Sequence, residues 1–449
     1  MNEKQNRIWR FLASVQLALW VIGLLAATSI IGTFIQQNKQ LEHYLENYGP
    51  EMTRLLQTLD IIPNMYSSWW FITLLIIFVV NLIICSLDRL PATWRLINQD
   101  NLNVTPQRLA KMPLQREMNF AEEPPAAAER LEQRLTAIGW QPGSRNGEEG
   151  TLLFAQKGAW SRLGAYLVHL GILITLGGAL IGGIWGFKGT IMFPEGETVD
   201  FIFDGTTAEL LPLDFSIYLD EFEISFYPDG TPREFRSDVI ISDPASNSRR
   251  RDSILVNHPL RHRGITFYQA SYRALEQYLV HLRNQTTGAE IYLLALPDQE
   301  LHWPEENLTL QVAAARSDQL QRVLTYQVSL QSPEAPPSVF TMADRQTVTV
   351  DRPEHPYNLY LQQRYSTGLQ VARDPGVWVV YSGFALICLG LYLTFMVSHR
   401  RLWLLLTPAG KGSTRLLLCG GSNRNRASFD QQFDLLAAQL SRDETRNKD

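Results

Sequence analysis

Four stretches of this chain carry no Asp, Glu, Lys or Arg over lengths that cross a bilayer as a helix: residues 11–35, 69–87, 163–187 and 377–397. A hydrocarbon core about 30 Å thick needs about 20 apolar residues at about 1.5 Å rise each. Lipid offers no partner to backbone amides, so a single apolar segment satisfies them by becoming a helix. Bulk composition hides these stretches. Charged residues make up 19% of the 449 positions and mean hydropathy is slightly negative, the profile of a soluble protein. The first stretch does not read as a cleavable signal. Its apolar run is too long, and Thr33-Phe34-Ile35-Gln36-Gln37 lacks a small-x-small site.

Basic residues orient the spans. Lys4, Arg7 and Arg10 precede the first; Arg89, Arg95, Arg108, Lys111 and Arg116 follow the second. Arg162 abuts the third, and Arg400 and Arg401 cap the fourth. The loop between the first two has Lys39 and Arg54 beside Glu42, Glu46, Glu51 and Asp60. The positive-inside rule predicts cytoplasmic termini, a cytoplasmic 88–161 and an outside 188–374. The expected division is 1–87 (two spans and a short outside loop), 88–161 (cytoplasmic), 162–187 (third span), 188–374 (outside domain), 375–398 (fourth span) and 399–449 (cytoplasmic).

The outside segment predicts β structure. Segments 189–193, 198–203, 215–227, 234–242, 252–256, 265–272, 278–283, 289–295, 309–315 and 323–330 are short and rich in β-branched and aromatic residues. Turn clusters such as Tyr227-Pro-Asp-Gly-Thr-Pro232 separate them, which favours one sandwich or open-barrel domain. The cytoplasmic pieces predict a strand at 114–120, an amphipathic helix at 125–138, a strand at 151–156, a hairpin of 401–406 with 414–419, and a helix at 429–440. Neither piece is apolar enough to fold alone, so the two are expected to pack together. Lys411 reads as part of the hairpin turn at 408–412, because P-loop spacing is absent. The chain thus reads as a polytopic α-helical membrane protein of four transmembrane helices, with a large extracytoplasmic all-β domain and a small cytoplasmic α/β domain.

Chemistry centres on His169, inside the third apolar stretch. An intramembrane ionisable group is costly unless it meets other helices, water or a ligand. Imidazole is also a common axial ligand of haem iron, while the plain alternative is a histidine that hydrogen-bonds helices together. Gly171, Gly177, Gly178, Gly182 and Gly183 would let a helix or a flat ring approach closely. Cys85, near the cytoplasmic end of the second span, is placed in the same leaflet as His169, as a thiolate near a ligand or an uncharged packing thiol. Cys388 reads as a small hydrophobe. The outside segment has no cysteine, and neither C-x-x-C nor C-x-x-C-H occurs, so the chain predicts no dithiol relay and no c-type haem of its own. Pro259 and Gly264 make the His258–His262 segment a turn, so these read as exposed loop histidines. His399, beside Arg400 and Arg401, reads as a cationic rim anchor. Hydrolase-elbow, zinc-protease and dinucleotide fingerprints are absent, and nothing points to nucleic acid.

Several segments together resemble the ResB/CcsB family, the membrane partner of CcsA/ResC in System II cytochrome c biogenesis. They are Leu12-Ala-Ser14 through Ile31-Gly-Thr33, and Ser68-Trp-Trp-Phe71 through Asn81-Leu-Ile-Ile-Cys-Ser-Leu-Asp88. His169 with Gly177-Gly-Ala-Leu-Ile-Gly182 follows, then Val256-Asn-His-Pro-Leu260 with Gly264-Ile-Thr-Phe-Tyr-Gln269, then Asp374-Pro-Gly376. Their order, with four spans and one large outside domain, carries the likeness. The resemblance implies a multi-pass protein of the bacterial plasma membrane, in preference to a thylakoid. It would be a non-autonomous subunit of a holocytochrome c synthase (haem lyase) complex that moves haem b outward and attaches it to C-x-x-C-H motifs of apocytochrome c. It also implies haem iron on His169; from the residues themselves, a Cys85 thiolate could approach that haem, and its propionates would need Arg162, Arg89 or the partner. The family's tryptophan-rich haem motif belongs to the CcsA/ResC half and is absent here. Trp69-Trp70 is an interfacial pair, so that half is expected as a separate protein. The alternatives are a membrane scaffold and a ligand-sensing receptor, neither binding haem.

Overall fold

The structure is a computed structural model describing residues 3–205, 207–229, 231–320, 322–410 and 412–441; Lys411, expected in the hairpin turn, lies outside the described residues. In chain order it begins with helices α1 (Glu3–Leu12), α2 (Val15–Phe34), α3 (Leu41–Thr58), α4 (Trp69–Asn98) and the single turn α5 (Pro106–Leu109). Then come β1 (Gln115–Phe120), α6 (Pro124–Ala137), β2 (Gln141–Gly147), β3 (Gly150–Lys157) and α7 (Gly164–Trp185). Next are β4 (Phe187–Pro194), β5 (Thr198–Asp204), β6 (Leu210–Phe226), β7 (Pro232–Asp243), β8 (Ser248–Leu255), β9 (Leu260–His262) and β10 (Ile265–Asn284). β11 (Glu290–Ala295), β12 (Glu300–Trp303), β13 (Leu308–Ser317), β14 (Val323–Ser332), β15 (Ala335–Ala343), β16 (Thr347–Val350) and β17 (Tyr357–Arg373) follow. α8 (Val377–Met396), β18 (Arg400–Gly410), β19 (Ser413–Ser422) and α9 (Arg426–Ser441) end the series. Two compact units result: Leu180–Gly376, and the parts of the chain on either side of it.

In the flanking unit, α2, α4, α7 and α8 are long and apolar enough to cross a membrane. The first apolar stretch is broken where a single helix was expected. Asn81 of α4, 1% exposed, donates its amide to the carbonyls of Leu12 (2.6 Å) and Ser14 (3.1 Å), satisfying the backbone where α1 ends and α2 begins. The loop after α2 is itself largely helical, because Tyr44, Leu56 and Ile62 form a small apolar core on α3 and its sequel. Gly49 and Pro50 kink α3 and mask its periodicity in the sequence.

α7 and α8 pack as an antiparallel pair through glycines seven apart. A Cβ on Gly171 would stand 2.7 Å from the Gly383 carbonyl oxygen, and one on Gly164 equally near that of Gly390. Seven-residue spacing keeps one stripe toward its neighbour, and small residues let backbones touch. Of the glycines expected to allow close approach, Gly171 does so against α8 and Gly182 meets the Asp374 carboxyl, while Gly177 and Gly183 face open space. Cys388, expected as a buried hydrophobe, lies on the exposed surface of α8.

The remainder of this unit is a five-stranded sheet in the order β1-β19-β18-β3-β2, drawing strands from before α7 and after α8. Alternation along β18 explains why both sheet faces are covered. Leu402, Leu404 and Leu406 join the core under α6 and α9, while Trp403 and Leu405 face Leu109, Leu152, Phe154 and Cys419. Burial pushes the Cys419 thiol up to about 11, so it packs as an uncharged group.

His399 sits where α8 gives way to this sheet, and the structure corrects its reading as a cationic anchor. It is 1% exposed. Arg162 Nε donates to its Nδ1 at 2.8 Å, so the ring proton lies on Nε2, 3.0 Å from Gln156 Oε1, and the Gln156 amide donates to Ile97 O. A second ring proton would destroy the Arg162 bond. Burial first, then the Arg162 and Arg401 charges, lower its pKa from 6.5 to about 4. The unfolded chain therefore takes up this proton near 6.5 and the folded chain near 4, so the stability held above pH 6.5 declines between those values. The decline is on the order of 2–3 kcal/mol at about 1.4 kcal/mol per pH unit. Denaturant titrations at pH 7 and pH 4.5 should show it, with a flatter profile in His399→Gln. Separately, Gly171→Leu should cost at least about 1–3 kcal/mol through overpacking, read as a lower melting temperature in detergent.

The Leu180–Gly376 unit is β-rich. Its main sheet runs β11-β10-β17-β4-β5-β6-β7-β8, with β16 on β17 and β9 on β10, and a second sheet runs β12-β13-β14-β15. Two cores form. One joins the second sheet to the start of β17 and the end of β10 through Trp303, Tyr326, Tyr357 and Val280, as a sandwich. Around the other, the rest of the main sheet collects Phe193, Ile217, Val239, Ile254 and Phe267. The expected strands 265–272 and 278–283 are one strand, β10, interrupted by irregularities at Gln269/Ser271 and Ala274/Tyr278. Those bulges let a single strand serve both cores.

Candidate functional site

His169 lies two residues before Gly171, so at about 100° per residue it points about 160° away from the glycine stripe. One side of α7 is closed against α8; the other presents His169 to α4. There His169 Nδ1 is 2.8 Å from Ser86 Oγ. The same hydroxyl lies 2.6 Å from the Leu82 carbonyl, which can only accept. The single Ser86 proton is therefore donated to Leu82, and the imidazole must donate its Nδ1–H to Ser86. This tautomer leaves the lone pair on Nε2, the form in which histidine binds a metal. One turn away, the hydroxyls of Tyr166 and Thr93 meet at 2.8 Å, and the Tyr166 ring stands edge-on to the imidazole at 6.4 Å. Two polar pairs thus tie α7 to α4 and fix the rotation of His169.

The imidazole is half-buried, and its flank carries exposed Leu170, Ile83 and Leu87, an apolar surface open to a ring or a helix. Arg89, three residues beyond Ser86, lies within electrostatic range of His169. Cys85 precedes Ser86, so it sits at the height of His169 but about 100° around α4 from the residue that holds it. Among the described residues the two share no hydrogen bond, and no group of three His, Cys, Asp or Glu forms a metal centre. His169 is the ligand this side of α7 offers.

The other expected histidines fall elsewhere. His258 is in the tight turn at Leu255. His262 is a correction: it belongs to β9, is half-buried, sits 3.1 Å from Asp243 and packs edge-on to Phe215 at 4.5 Å. The pairing of β9 with β10 turns a sequence that looked like loop into a sheet edge.

The ResB-like family model matches residues 15–300 and 284–434. The chain belongs to the ResB-like family. A cytochrome c biogenesis protein CcsB from Synechococcus elongatus is 30% identical over 97% of this chain and 93% of its own length. CcsB proteins of Picosynechococcus (28%, covering 95% and 91%) and Gloeobacter violaceus (27%, covering 99% and 93%) match over similar extents. In this ResB-like chain the sequence reading singled out His169 and Cys85 but missed Ser86, Thr93 and Tyr166. The available signal was weak: three hydroxyl residues in or beside apolar helices, one of which, Ser86, also bonds its own helix at Leu82.

Proposed function

We propose that this ResB-like protein is the haem-receiving subunit of a System II cytochrome c synthetase. His169 holds the iron of haem b on its way across the membrane, and the chain presents haem and apocytochrome c for attachment to C-x-x-C-H. The observation that carries this is the His169–Ser86–Leu82 chain, which fixes the proton on Nδ1 and leaves the lone pair on Nε2. The names of the CcsB relatives support cytochrome c biogenesis as the setting. A porphyrin edge matches the exposed apolar side chains of α4 and α7, and Arg89, within electrostatic range of His169, is a charge for a propionate. A lone imidazole supplies one axial bond. The opposite one belongs to a CcsA/ResC-like partner, so this chain is a non-autonomous subunit and not a complete haem lyase.

The proposed arrangement places both termini, 88–161 and 399–449 in the cytoplasm of a bacterium, with the spans in its plasma membrane. The β domain 188–374 is then outside, where apocytochrome is met; the spans are 1–87 (in part), 162–187 and 375–398. Basic residues at α4, α7 and α8 support this orientation. With α7 running outward from Arg162, His169 lies about 10 Å in, on the side from which haem is delivered. An impermeant thiol reagent on intact cells should label Asn247→Cys and spare Asn146→Cys; the reverse pattern would invert the topology.

The haem reading is tested on the detergent-purified protein, with and without its partner. Wild type should show a haem Soret band, His169→Ala should lose it together with cytochrome maturation, and added imidazole should restore part of both. Ser86→Ala, which leaves His169 unoriented, should weaken haem binding about 10-fold or more. Cys85→Ala should keep most activity. Full haem occupancy and activity in His169→Ala would make the histidine a packing residue and the chain a scaffold.

A further inference from the structure

A second feature, outside the His169 surface, lies where the spans meet the α/β sheet. A cavity of about 210 Å³ is lined by Thr93, Ser161, Arg162, Ala165, Thr394, Asn423 and Arg424, two arginines and no acid. Arg401, half-buried, is close enough to Arg162 for their charges to repel. Among the described residues, Arg162, Arg401 and Arg424 form no ion pair. Packing like charges around a neutral His399 is costly unless a counter-anion is present.

The polar lining is also under-used. Ser161 is 6% exposed, and among the described residues its hydroxyl has no hydrogen-bond partner. The buried Thr394 Oγ1 likewise has none, although both residues line the cavity. Buried hydroxyls left unpaired each cost about 1–3 kcal/mol, so an oxyanion accepting from them would remove a real penalty. Arg424 is held in place by the Thr394 carbonyl and by the Phe395 ring 5.3 Å away.

Height identifies the anion. Thr394 is in the last turn of α8 and Ala165 in the first turn of α7, so the cavity stands where the apolar spans end. Trp94 and Trp160, each next to a lining residue, pack edge-to-face at 5.7 Å in the manner of an interfacial aromatic pair. That is the level of lipid headgroups, and basic pockets between helix ends hold their phosphates. The cavity is below the about 300–1,000 Å³ of sites that engulf whole ligands, so it admits a headgroup phosphate while acyl chains stay outside.

We propose that this cavity binds the phosphate of an anionic phospholipid in the leaflet beside the α/β sheet. Arg162 and Arg424 neutralise it while Ser161 and Thr394 donate to its oxygens. The bound lipid would fasten α7 and α8 to the sheet. This site does not use the His169 imidazole, although Thr93, at its edge, also meets Tyr166.

Native mass spectrometry of the full chain, released from nanodiscs of mixed phosphatidylglycerol and phosphatidylcholine, tests it. Wild type should retain phosphatidylglycerol selectively. Arg424→Gln should reduce retention at least tenfold and Ser161→Ala several-fold; the serine variant removes an unpaired group and so should leave folding intact. Inorganic phosphate at millimolar concentration should not displace the lipid; displacement would assign the site to free phosphate and overturn the lipid reading. Equal retention in wild type and both variants would overturn it, as would Arg424→Gln losing haem while lipid retention is unchanged, because the cavity would then be a propionate site.

Discussion

Where Gly171 meets Gly383, two backbones touch with no side chain between them. In lipid, apolar side chains gain little by leaving one hydrocarbon environment for another, so close backbone approach carries much of helix association. This contact sets more than a distance. By assigning one stripe of α7 to α8, it determines that the residue about 160° away faces α4, and that residue is His169. Ser86 and Thr93 then fix the rotation. The orientation of the imidazole is thus a consequence of where the glycines fall.

Two histidines in and beside the spans follow a shared logic: each takes its tautomer from a neighbour whose own bonding leaves it one role. Ser86 must give its proton to Leu82, so it can only receive from His169. Arg162 must donate to His399, so His399 can only donate to Gln156. The first relay leaves the Nε2 lone pair unused by it. The second uses every ring nitrogen internally, which is why His399 joins elements and His169 can serve a ligand. A histidine in α7 and one just beyond α8 are separated in role by which nitrogen their neighbours occupy.

The spans were legible because about 20 apolar residues in a row, free of charge, match the thickness of a bilayer core and little else in a folded chain. The sheet of the flanking unit was legible too, since Leu402, Leu404 and Leu406 alternate with Trp403 and Leu405. Less readable was the course of β10 and β17, where bulges interrupt period-two alternation, and β15, whose Pro336 and Pro337 conceal a strand. His169 stood out as an isolated ionisable group. Its partner did not, because serine in an apolar helix commonly bonds its own helix, as Ser86 also does with Leu82. His399 was misread for a related reason: neighbouring arginines suggest a charged histidine until burial and the direction of the Arg162 bond are known.

An open histidine flank has a further consequence for assembly. His169 Nδ1 is taken by Ser86 of α4, which leaves the Nε2 lone pair for another group, and Ile83 and Leu87 of α4 and Leu170 of α7 are exposed. A haem placed there would keep one porphyrin face on this chain and offer the other outward, where this side of α7 supplies no second ligand. Six-coordinate iron therefore requires a group from another helix approaching across that surface, and the surface is apolar enough to receive one. Closing the site with a second histidine from within this chain would have held the haem in place. Dividing the ligands between two proteins would make occupancy of such a site depend on their association.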